Sequence, residues 1–179
     1  PNATPITFNI DGETFDPKLG QIQAYRRHLD LQTGVLTRSF EWVSPKGQHV
    51  RVQSERLVSL THTHLMAQRY SVTLLNALNG SSVIEIRSAI SNQAPQKTSE
   101  EAAIDDPRVG ASLSGQLQFA QHLELAQGSA FIHHTHHSGL SVATATVHQI
   151  DNTASQRMTH TSHHDEYVSA HIYTLECAA

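Results

Sequence analysis

The chain has 179 residues, of which 38% are hydrophobic and 16% charged, and its formal net charge is −4. That length suits one domain with a buried core. The acidic balance argues against a nucleic-acid binder or a surface recruited to anionic lipid, and the single cysteine, Cys177, excludes an internal disulfide. A reducing, cytoplasmic compartment is the expectation. No apolar run reaches the roughly 18 residues of a membrane helix. The start at "PNATPITF", without an initiator methionine, is what a piece cut from a longer protein would be expected to show.

Along the chain the dominant period is two rather than 3.6. After a turn at Asp11–Gly12 and another at "QTG" (32–34), "VLTRSFEWV" places Leu36, Phe40 and Trp42 on one face with Arg38 among them. Turns at "SPKG" (44–47) and "NALNGS" (76–81) bracket the next strands, and "SVIEIRSAI" sets Ile84, Ile86 and Ile90 against Glu85 and Arg87. Residues 91–115 break the pattern. They carry two prolines and the acidic cluster Glu100, Glu101, Asp105 and Asp106, and read as one long loop with a short helix around 98–105. "GQLQFAQHLELA" then sets Leu117, Phe119, Leu123 and Leu125 opposite Gln116, Gln118, His122 and Glu124. "HHTHH" (133–137) is expected to end one strand, with Ser138–Gly139 turning into the next, and "EYVSAHIYTLEC" is covered on both faces. About ten such strands imply an all-β fold, a large antiparallel two-sheet sandwich over residues 1–179.

The chain has 14 histidines, so metal binding has to be weighed. Residues i and i+2 of a strand share a face, so His62/His64 and His134/His136 are paired candidates; His133/His137, His160, His163 and His164 complete the set. A cupin-type site needs a glutamate soon after H-x-H. The next acidic residue after His64 is Glu85, and after His136 it is Asp151, so these histidines read as polar residues on solvent faces or at a strand end, and no metal ligand is assigned. Nucleophilic catalysis has no G-x-S-x-G to rest on, and Cys177 reads as a small residue in a strand. The carboxylate pairs Glu100/Glu101, Asp105/Asp106 and Asp165/Glu166 read as solvated loop residues. Arg26, Arg27, Arg38, Arg51, Arg56 and Arg69 crowd the first 70 positions, with Asp30, Glu41 and Glu55 as candidate ion-pair partners. Neither a catalytic residue nor a cofactor-binding residue is assigned.

Larger motifs carry more. "DGE-FD" at 11–16, "YRR-LDL--GVLTR" at 25–38, "W-SP-G" at 42–47, "SER-VSL---HL---RY-VT-LN" at 54–76 and "T--SGL-VA" at 135–143 follow one another in the order seen in glycoside hydrolase family 65. The chain resembles the N-terminal β-sandwich of those maltose, trehalose and kojibiose phosphorylases and related hydrolases. The resemblance implies a domain, expected to be truncated at both ends here, that scaffolds a separate (α/α)6 barrel and contributes to a homodimer, with the 91–115 loop as a candidate for the rim of the active site. In that family the barrel holds the glutamate acid and takes inorganic phosphate as co-substrate, so no catalytic residue carries over to these positions. A free-standing carbohydrate-binding sandwich is the alternative.

Overall fold

The computed structural model describes residues 1–76, 80–92, 117–151 and 155–178. Twelve strands occur among them. They are β1 (Ile6–Ile10), β2 (Glu13–Thr14), β3 (Gln21–Leu29), β4 (Leu36–Val43), β5 (His49–Val58), β6 (Met66–Asn76), β7 (Ser81–Ser91), β8 (Gln118–Leu125), β9 (Gly128–His134), β10 (Ser141–Val147), β11 (Ser155–His164) and β12 (Val168–Ala178). The all-β expectation holds, and the ladders are antiparallel, as an all-β sandwich requires. They divide into three sheets, ordered β3-β4-β5-β6, β10-β9-β8 and β11-β12-β7-β1-β2. Among the described residues no helix is long and apolar enough to cross a membrane. Residues 93–115 of the expected loop, with its helix and its acidic cluster, lie outside the described residues, whereas Ser91 belongs to β7.

The described chain forms two compact units. One comprises Ile6–Arg87, Asn152–His160 and Tyr173–Ala179. Its core cluster is apolar: Phe8, Ile10, Phe40, Trp42, Val50, Val52 and Ile84 are buried, and Phe15, Val72, Leu74 and Cys177 pack on them, while Ser44, Gln48 and Ser82 are also buried in this unit. The period-two reading of β4 holds because Phe40 and Trp42 point inward, with Phe40 opposite Val52 and Trp42 opposite Val50 on β5. Phe15 stacks on Phe8 at 5.0 Å and on Phe40 at 5.3 Å, and meets Trp42 edge-on. The Trp42 indole N–H donates to the Leu19 carbonyl at 2.8 Å, so the one polar atom of the buried ring is satisfied. Gly20 follows at φ +76°, and a Cβ there would lie 2.2 Å from the Val43 carbonyl oxygen, so only glycine fits.

The other unit comprises Pro1–Pro5, Ser88–Asp151 and Thr161–Ile172. Its interior is partly polar. Ser88, Ser129, His133, Ser169 and His171 are buried there beside Ile90 and Phe131. Hydroxyls and imidazoles pair with one another: Ser129 Oγ lies 2.8 Å from Ser169 Oγ, and His148 Nε2 lies 2.9 Å from Ser88 Oγ.

Strand β8 departs from simple alternation. Its pairing with β9 runs Gln118↔His134, Phe119↔His133, then Gln121↔Ile132 and His122↔Phe131, so Ala120 is an extra residue in a β-bulge. Residues directly opposed across an antiparallel ladder share a face. Phe119, His122 and Glu124 therefore share the face of His133, Phe131 and Ser129. The sequence expectation that Phe119 opposes His122 and Glu124 is corrected here, because one inserted residue inverts every side chain beyond it.

Candidate functional site

The family-like motifs resolve into turns and clasps. Asp11 of "DGE" accepts the Val83 N–H at 2.8 Å and a hydrogen bond from the Gln48 side-chain amide. Glu13 accepts from the Ser44 hydroxyl at 2.5 Å and from the Lys46 N–H at 3.2 Å. "DGE-FD" thus holds the "W-SP-G" turn from across 31 or more residues of chain. Asp30 accepts the Gln32 and Thr33 N–H groups, which hold its carboxyl below the usual range, so it closes the β3–β4 turn rather than pairing with an arginine. In "T--SGL", Thr135 Oγ1 accepts the Leu140 N–H at 2.9 Å and lies 2.6 Å from Ser138 Oγ. β9 ends at His134 and β10 begins at Ser141, so the expected turn at Ser138–Gly139 is present.

The six arginines are all exposed. Two of the expected partners hold: Arg51 reaches Glu41 at 2.8 Å and Arg69 reaches Glu55 at 3.1 Å. Glu41 also meets His49 at 3.0 Å, and Arg51, ahead of His49, keeps its carboxyl below the usual range. Arg38 lies over the Phe40 ring, 5.6 Å from its centroid. Of the carboxylate pairs, Glu100/Glu101 and Asp105/Asp106 lie outside the described residues. Asp165 accepts the Tyr167 and Val168 N–H groups at 2.7 Å each, which lowers its carboxyl and fixes the β11–β12 turn. Cys177 packs on the apolar interior, and burial pushes its thiol upward, away from the nucleophilic thiolate.

The histidines do not behave as one group. His62 and His64 sit in the exposed β5–β6 connection rather than on a strand. His133 is fully buried between the edges of Phe119 and Phe131, contrary to the solvent-facing expectation; neither ring nitrogen has a hydrogen-bond partner, and burial pushes its pKa down. His134 Nδ1 lies 3.1 Å from Ser141 Oγ, and His136 Nδ1 accepts from the Gln118 amide at 3.1 Å, so the H-x-H pair is separately engaged. His160 stacks on Tyr173.

Three candidate ligand residues do converge. His122 and Glu124 of β8 and His164 of β11 offer ligand atoms that all lie within 4.8 Å of one another. The His122 and His164 rings stack at 3.9 Å. His122 Nε2 lies 3.2 Å from Ser169 Oγ, and Ser162 donates to Glu124 Oε1 at 3.0 Å. Burial, then the neighbouring His164, pushes the His122 pKa down, against an upward pull from Glu124. Sequence reasoning missed this cluster although H-x-E at 122–124 was visible, because the third member is 40 residues away on a strand whose pairing no local pattern announces. Nearby, Leu117, Gln118, Phe119, His136, Glu166 and Tyr167 line an open hollow.

Comparisons with known proteins bear on the motif residues. An uncharacterized glycosyl hydrolase of Mycobacterium tuberculosis is 32% identical over 142 residues, which covers 79% of this chain and 17% of that protein. An alpha,alpha-trehalose phosphorylase of Thermoanaerobacter brockii is 34% identical over 112 residues, 63% of this chain and 14% of that one. A solved structure from the human microbiome, described as a kojibiose phosphorylase, superposes with a TM-score of 0.66 over 99% of this chain and 22% of its own, at 10% identity. The chain thus spans less than a fifth of the curated relatives it matches. The family model for the N-terminal domain of glycosyl hydrolase family 65 matches residues 1–179, and the chain belongs to that family.

Proposed function

We propose that this domain is the non-catalytic N-terminal part of an inverting phosphorylase or hydrolase acting on an α-linked disaccharide such as maltose, trehalose or kojibiose. It scaffolds the catalytic barrel and contributes to a homodimer; inorganic phosphate enters as co-substrate at the barrel. The observation that carries this reading is the exposed apolar end of the β3-β4-β5-β6 sheet. Strand β3 is exposed along its whole length yet carries Tyr25 and, at that end, Leu29. The β3–β4 and β5–β6 connections lie at the same end of that sheet and add Leu31, 87% exposed, and Leu60, 94% exposed, beside Val58 and Leu65. Apolar side chains gathered at one sheet end mark a surface that another body covers. In the full-length protein, Leu31→Ser with Leu60→Ser should lower the melting temperature and expose the domain boundary to protease. The isolated chain should neither cleave these disaccharides nor release a sugar phosphate. Turnover by the isolated chain would overturn the reading.

A second reading, sugar binding by this domain itself, has one specific observation behind it. The hollow presents Phe119 and Tyr167, 39% and 44% exposed, beside Gln118, His136 and Glu166. Aromatic faces with adjacent hydrogen-bonding groups suit a pyranose ring. Titration of the chain with maltose or trehalose separates the two readings: saturable binding abolished by Tyr167→Ala favours the second, and its absence favours the first.

A further inference from the structure

We infer that His122, Glu124 and His164 form a binding site for a divalent transition-metal ion, with Zn2+ as the fitting example. Two imidazoles and one carboxylate, with water completing the shell, match the ligand preferences of that ion. Four observations converge. The ligand atoms already lie within 4.8 Å of one another, so small side-chain rotations close the site. The pairs come from strand positions two apart: His122 and Glu124 on β8, with Ser162 and His164 on β11, so each strand presents one face to the other. The bulge at Ala120 is what brings His122 and Glu124 onto this face, and bulges re-aim side chains at sites.

The fourth observation is the support behind the ligands. When His122 Nε2 donates to the buried Ser169 hydroxyl, itself 2.8 Å from Ser129 Oγ, the lone pair is held at Nδ1. Such an outer hydrogen bond fixes the tautomer and orientation of a ligating histidine. Ser162 likewise holds one oxygen of Glu124 and leaves the other for an ion. The two rings now stand nearly parallel, 13° apart, so one must turn for both lone pairs to meet a single ion. His164 is exposed and turns without disturbing the interior.

The test is calorimetric titration of the tag-free, chelator-stripped full chain with Zn2+, with Co2+ absorption as a spectroscopic check of coordination. One ion per chain is expected. His164→Ala and Glu124→Gln should each weaken binding tenfold or more and abolish the Co2+ visible band. Ser169→Ala should weaken it roughly ten- to a hundredfold, the range for outer-shell partners. His62→Ala with His64→Ala, in the exposed connection, should leave it unchanged. No binding, or binding that persists in His164→Ala and falls in the His62/His64 variant, would overturn the assignment. His164 is exposed, so its variant should melt as the parent does, and loss of binding then reports the ligand alone.

Discussion

The interiors of the two units are built on different principles. Around Trp42 the buried cluster is aromatic and aliphatic, and the unit's buried Ser44 and Gln48 are tied to the turn carboxylates Glu13 and Asp11. Around Ser169 hydroxyls and imidazoles share the interior with Ala89, Ile90, Phe131 and Ala170. Apolar side chains need no hydrogen-bond partners, whereas each buried polar group requires a mate, and His133 has found none. The contrast separates two kinds of residue. Many of the residues that carry the family resemblance hold the apolar unit together, while the histidine–carboxylate cluster arises in the polar unit, outside every matching motif.

The largest expected effect breaks the apolar interior. Trp42→Ala should cost about 3–5 kcal/mol by chemical denaturation, the range for emptying a large buried aromatic site. Gly20→Ala comes next, at roughly 3 kcal/mol, because the alanine meets both a positive φ and the Val43 carbonyl. In the polar interior the sign reverses at one position. Substituting His133→Leu removes two unsatisfied ring nitrogens, and the chain should gain about 1 kcal/mol or lose nothing; a loss of several would show that His133 has a partner in solution. The smallest effect is at the turns. Asp30 and Asp165 have carboxyls held below their ordinary value of 3.8, so the unfolded chain binds more protons than the folded one below that value. Their contribution is complete above pH of about 4 and is lost as pH falls through the folded values. Asp165→Asn should flatten the fall of melting temperature between about pH 4 and pH 2 by lowering it slightly at neutral pH, where the carboxylate contributes, and leaving it unchanged near pH 2.

Much of the apolar unit was legible in the sequence. The alternation in "VLTRSFEWV" survives because β4 runs unbroken against β5, and Glu41 and Glu55 meet the arginines expected of them. Asp30 was misread because a carboxylate beside arginines and one that closes a turn look alike in one dimension. The polar unit was less legible for two physical reasons. The bulge at Ala120 inverts the alternation of β8, and no residue type announces it. His164 reaches His122 only through the arrangement of separate ladders, which local periodicity does not encode.

The most direct test of the claim that the motif residues hold the fold is Glu13→Ala in the full-length protein, followed by melting temperature and by kinetics of the proposed disaccharide cleavage well below the melt. Loss of the Ser44 and Lys46 hydrogen bonds should remove about 2 kcal/mol and lower the melting temperature, with kcat/KM held within about twofold. An unchanged melting temperature with kcat/KM reduced a hundredfold would contradict the account and place Glu13 in the chemistry.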